Sequence, residues 1–244
     1  MTVLSTQEGH FRDALLNLAN ALAVIEGGGD IAAPRLQLIS DVKVKIDEMM
    51  PEGEGSQFSV IDDENNTDIL DLYINSRLDP AAKTLMQIVP VHLVDGANSN
   101  KSPVPNADTI TGYVILDSDF LRLIAFKMVG WERDVTVLFK PGEPGYNKQY
   151  TVLRGGKVKP ACNLTQKVIN NTTTKVIEYF SLASTDTHTI EKFIYVAEVA
   201  AEDVQANLWD ALGWICASEI LQITGRQDES KLALERTQMC FKNL

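Results

Sequence analysis

The stretch Gly112–Trp131, GYVILDSDFLRLIAFKMVGW, constrains the fold more than any other part of the sequence. Tyr113, Val114, Ile115 and Leu116 form an apolar run of β-formers, which predicts a strand. Asp117-Ser118-Asp119 predicts a turn, because short polar side chains bond nearby backbone and compete with a β-ladder. A second apolar run covers Phe120–Val129 before Gly130 interrupts it, and Trp131-Glu132-Arg133-Asp134 leads towards a further strand. The sequence before this stretch reads as mostly helical. After it come strand signals to about residue 201, and then helix.

Two helices are expected at the N-terminal end. Phe11, Leu15, Leu18, Leu22 and Ile25 recur at helical spacing over Thr6–Glu26, and Gly27-Gly28-Gly29 ends the pattern. The glycine triplet follows a helix and lacks the GxxxxGK[ST] pattern, so it does not read as a phosphate loop. Pro34 opens a helix over Arg35–Met50 with Leu36, Ile39, Val42, Ile46 and Met49 on one face. Residues 51–67 read as a loop, in which Phe58, Val60 and Ile61 alternate loosely with polar residues. The acidic residues at 62–64 lack the glycine and terminal glutamate of a calcium loop. A third helix is expected over Ile69–Val89, kinked or divided where Asp79-Pro80 falls inside it.

Val91–Val94 alternates like a strand, and 97–109 reads as a loop. Further strands are expected at Val135–Lys140, Tyr150–Arg154, Ala161–Val168, Lys175–Leu182 and Ile190–Val199. They are separated by Pro/Gly, Gly-Gly and Asn-Asn punctuation. This spacing suits an antiparallel sheet or small sandwich better than βαβ units. A long helix from Glu202 to Thr224 should stop at Gly225, with a less apolar last helix from Asp228 to about Phe241. The expected fold class is α+β, with N- and C-terminal helices bundled around a central antiparallel sheet or small sandwich. The expected domains are a helical one (1–90 with 202–244) and a β-rich one (91–201).

The chain of 244 residues has a net charge of −11, which argues against gripping nucleic acid by phosphate neutralisation. The three cysteines lie far apart without CxxC spacing and read as reduced, buried side chains. Neither a signal peptide nor a membrane span of about 20 apolar residues is evident in the sequence. His10, His92 and His188 are isolated, and no HExxH or GxSxG pattern occurs. The expectation is therefore no catalytic activity, no cofactor and no metal.

The order Leu116, Ser118, Asp119, Phe120, Leu121, Arg122, Leu123, followed by Trp131, Arg133 and Val135, resembles a known family. These are the ring proteins (head-completion proteins or adaptors) that lie between portal and tail in crAss-like and related tailed bacteriophages. The similarity extends from about residue 35 to the C-terminus and rests on order and texture. It implies a virion structural protein: a subunit of a closed, twelvefold homo-oligomeric ring in the head–tail connector, assembled in the host cytoplasm. The portal protein and adjacent ring or tail proteins would be its partners, and the genome would pass through it as a repelled cargo. Asp119, Phe120, Arg122, Trp131 and Arg133 are the structural motif on this reading. Phe58, Val60, Leu232, Met239 and Phe241 are the candidate interface. The alternative is a stand-alone cytoplasmic binding module without catalysis.

Overall fold

A computed structural model describes residues 33–49, 69–108, 110–151, 154–183 and 186–243. The expected first helix, the glycine triplet and the loop 51–67, with Phe58 and Val60, lie outside the described residues. The fold is mixed α+β, with two sheets and five α-helices among the described residues. The chain divides into two compact units, 1–90 with 199–244, and 91–198.

In the first unit, α1 (Ala33–Met49) and α2 (Ile69–Ile88) pack with α4 (Trp209–Ile223) and α5 (Gln227–Asn243). The buried residues of α1 are Leu38, Ile39, Val42 and Ile46. Leu36, expected on that face, is exposed, because the stripe is shifted around the helix towards Leu38. Pro80 sits inside α2, which runs as one helix; of the two expectations, a kink or a division, the division does not occur. Leu78, Ala81, Ala82 and Leu85 are buried without a break across the proline, so packing sustains the helix through it. Asp79 is not a cap for a second helix. Its carboxylate accepts hydrogen bonds from Arg35 at 3.0 Å and from the Ala201 N–H at 3.0 Å.

Ten of the fifteen residues of α4 are buried, on all sides of the helix, which marks it as the centre of this unit. The long helix expected from Glu202 begins only at Trp209. Two 3-10 turns, Ala201–Asp203 and Ala206–Leu208, precede it and bury Ala201 and Leu208. Gly225 (φ +84°) closes α4: its N–H reaches the Gln222 carbonyl and the Arg226 N–H reaches that of Leu221. This is the doubly bonded glycine stop that a left-handed residue permits.

The second unit holds β1 (Ala97–Asn98), β2 (Val104–Pro105), β3 (Gly112–Ile115), β4 (Phe120–Met128) and β5 (Leu138–Phe139). After the short helix α3 (Pro144–Lys148) come β6 (Cys162–Ile169), β7 (Thr172–Tyr179) and β8 (Ile190–Ala197). One sheet has the order β1-β8-β4 and the other β2-β3-β7-β6-β5. All pairings are antiparallel except that of β5 with β6. Val114, Cys162, Ile177 and Tyr179 from one sheet join Leu123, Phe126, Met128, Phe193 and Tyr195 from the other in one apolar cluster.

Several expected elements differ here. Val91–Leu93 is a 3-10 turn with Val91 and His92 exposed; the alternation had no sheet to pair with. The 97–109 loop contributes two short strands. Of Val135–Lys140 only Leu138–Phe139 is a strand, plus a single bridge from Val135 to Phe126. Instead of opening a strand, Tyr150 follows α3 directly. Proline at the first helical position with Glu143 before it starts that helix, a signal hidden in what reads as a Pro/Gly loop. The β6–β7 hairpin turns on Asn170 and Asn171, both at positive φ (51° and 63°), the two-residue geometry that suits strand twist.

Candidate assembly surface

The turn Asp117–Asp119 carries the chain out of one sheet and into the other, since β3 pairs with β2 and β7 whereas β4 pairs with β8. Asp119, Phe120 and Arg122 of the motif sit at that crossing, whereas Trp131 and Arg133 follow the far end of β4. The Asp119 carboxylate accepts a hydrogen bond from Tyr195 Oη at 3.0 Å, and its carbonyl accepts one from the Glu198 N–H at 2.6 Å. Burial first, and the Asp119 carboxylate second, push the Tyr195 phenol up to about 12, so it stays a donor across the physiological range. Phe120 stacks on the Tyr195 ring at 5.5 Å. Asp117 accepts from Ser99 Oγ at 2.6 Å and pairs with Lys101 at 3.4 Å, fixing the other side of the turn.

The β4–β8 register shifts between Phe120 and Arg122, between Leu123 and Ala125, and between Lys127 and Met128. Such bulges bend and twist a strand. They explain how the consecutive residues Ala125 and Phe126 are both buried in a run that does not alternate. Trp131 is only 3% exposed and meets the Phe126 ring edge-on at 5.8 Å. Its Nε1 is buried without a hydrogen-bond partner among the described residues. Trp131 thus anchors the end of β4 inside the unit. Arg133 is exposed, and Arg122 is half-buried, with burial lowering its guanidinium pKa.

The other half of the candidate set lies on α5. Ser230, Ala233 and Thr237 form its buried row. Ser230 meets Ser218 of α4, whose Oγ donates to the Ser230 carbonyl at 3.0 Å. At 100° per residue, Leu232 and Met239 fall on the opposite side, seven positions apart in one row. They are 53% and 52% exposed. Phe241 is half-buried and falls on the packed side with Thr237, so it does not share that row. On the inner side of α4, the Lys45 stem crosses at Gly213 to reach Asp210 at 2.7 Å, with its ammonium over the Trp214 ring. Cys240 donates to Asp210 at 3.0 Å, and burial followed by that carboxylate pushes the thiol up to about 12. Cys162 and Cys216 are buried, and burial likewise raises their thiols. None of the three is poised as a thiolate at neutral pH.

A polar cluster on the β6–β7 face went unread in the sequence. Glu178 accepts from the Tyr150 hydroxyl and pairs with Lys167 at 2.8 Å, and Lys167 lies over the Tyr113 ring at 4.6 Å. Burial, followed by the hydrogen bond to Glu178, raises the Tyr150 phenol. The group is therefore a satisfied donor–acceptor set with no free base. The alternation of Lys167 on β6 and Glu178 on β7 was the available signal, but the pairing register was needed to read it. No cluster of three or more His, Cys, Asp or Glu among the described residues is placed to hold a metal ion. No helix among them is long and apolar enough to cross a membrane. No family model matches this sequence, and no curated protein matches it.

Proposed function

We propose that this chain is a virion structural protein, one subunit of a ring joining portal and tail in a tailed bacteriophage. The observation that carries the reading is the outer row of α5. That helix satisfies its inner side with small and polar residues against α4, yet leaves Leu232 and Met239 facing outwards. A closed ring needs a heterologous contact repeated by rotation, and an apolar row on a packed terminal helix is suited to one side of it. The resemblance around Leu116–Val135 supports the same reading. The net charge of −11 suits a channel wall that lets DNA slide.

On this reading the ring is twelvefold and docks on the portal or an adjacent ring through α5. Light scattering of the purified chain, alone and mixed with a portal protein, tests the assembly. A ring-sized mass that falls to a monomer in a Leu232→Ser/Met239→Ser variant is the expected result. A chain that stays monomeric in both conditions and is missing from purified particles overturns the reading and leaves the stand-alone module.

A further inference from the structure

We infer that a groove between β5, α3 and the 155–161 segment is a docking site for the acidic segment 51–68 of a second copy of this chain. The groove has a volume of about 650 Å³, in the range that takes one or two large side chains of a peptide. Its walls are apolar: Val135, Val137, Phe139 and Pro160 line it, and Val137 is 69% exposed. β5 is the last strand of its sheet, so an extended peptide meets a sheet edge there.

The rim is basic in an acidic protein. Two of its lining residues, Lys148 and Lys159, are basic, whereas the whole chain has a net charge of −11. Lys148 and Lys159 line the groove, are exposed, and have no ion-pair partner among the described residues. The one acidic wall residue, Asp134, is neutralised by Lys192 at 2.8 Å.

A buried glutamine braces the wall, so the groove is part of the folded unit. Gln149 is 4% exposed and its Nε2 donates to the Gly145 carbonyl at 3.2 Å. That bond fixes which end of the amide is oxygen, and Oε1 is left buried without a donor among the described residues. The fitting ligand is a peptide with apolar side chains beside several carboxylates. Residues 51–68 have that composition: Phe58, Val60 and Ile61 directly precede Asp62, Asp63 and Glu64, and the segment holds six acidic residues and no basic one. The inference does not rest on the ring proposal, because self-association through this contact needs no phage partner.

The test titrates a labelled peptide of residues 51–68 into the full chain and follows fluorescence anisotropy at low and raised salt. Saturable binding is expected, weakened by salt. A loss of at least about tenfold is expected in a Lys148→Glu/Lys159→Glu chain, and a similar loss when Phe58→Ser is placed in the peptide. Both lysines are exposed, so an unchanged melting curve for the double variant shows that the fold is kept. Absence of saturable binding, or equal binding by the double variant, overturns the inference. So does duplex DNA taking the groove in place of the peptide. Binding that emerges only after Asp62, Asp63 and Glu64 of the chain itself are neutralised, in a chain that stays monomeric, also overturns it, since the segment would then fill its own groove.

Discussion

Tyr195 and Asp119 show how one hydrogen bond and one stacked ring hold the crossing between the sheets. Asp119→Ala removes the acceptor of the Tyr195 hydroxyl and should cost about 1 kcal/mol. Phe120→Ala removes a half-buried ring and should cost about 2–3 kcal/mol. Thermal melting checks both, and unchanged melting temperatures would mean that the turn does not organise the unit. At Trp131, Phe is expected to be tolerated at under about 1.5 kcal/mol, because it keeps the contact with Phe126 and deletes an unpartnered N–H. Ala should cost about 3–5 kcal/mol. Glu219 on α4 is the opposite case. Burial raises its carboxyl pKa against the pull of Arg77, so the ionised form strains the folded state. Its contribution is therefore most favourable below the ordinary carboxylate range and is lost as pH rises through the folded value. Glu219→Gln should raise the melting temperature at pH 7 and converge with the parent in acid. At this scale the sequence shows which residue types fill the turn. That Asp119 meets Tyr195, 76 positions away, depends on a pairing no local pattern encodes.

Among the elements, α1, β6 and β8 were legible because each carries a pattern of its own: a helical stripe, or a strand bounded by Asn or Ser/Thr turns, whereas β7 was expected at Lys175–Leu182 and runs Thr172–Tyr179, its polar threonines giving no apolar signal. Val91–Leu93 and the 201–208 segment were not, because alternation or helical spacing there competes with packing that arises only in the folded unit. The groove escaped notice for the same reason, since its walls come from segments up to 27 residues apart, Asp134 to Ala161. The stop of α4 can be tested directly. Gly225→Ala forces a Cβ into φ +84° and should cost about 1 kcal/mol, read by chemical denaturation. Leu232→Ser/Met239→Ser touches only the outer row of α5, so its melting temperature should hold within about a degree or two while assembly is lost. A large drop in melting temperature would move that row into the folded core.

Across the whole molecule, the first unit is tied together by a group of charges around Arg35. Arg35 reaches Asn75 at 2.6 Å, Asp79 at 3.0 Å and Glu202 at 2.7 Å, tying α1 and α2 to the chain where it returns at Ala201–Asp203. Burial disfavours the Asp79 charge, but the Arg35 bonds and the Ala201 N–H outweigh it and hold the carboxyl below its usual value of 3.8. A depressed pKa adds stability above the unfolded value and loses it as pH falls through the folded one. The parent should weaken in acid below about pH 4, and Asp79→Asn should be weaker at pH 7 with a flatter acid limb, measured by melting from pH 7 to pH 2.

The return at Ala201 has a consequence in time as well as in space. The first unit is closed by α4, the helix against which α1 and α2 bury their apolar rows, and α4 starts at Trp209. A chain leaving the ribosome therefore presents α1 and α2 with their central partner still unmade, while every strand of 91–198 has already emerged. The middle of the protein is born complete and its beginning is finished last. A nascent chain halted once about residue 198 has cleared the tunnel should show a protease-resistant fragment of the second unit alone, and resistance of the first should appear only after about residue 223 has cleared it.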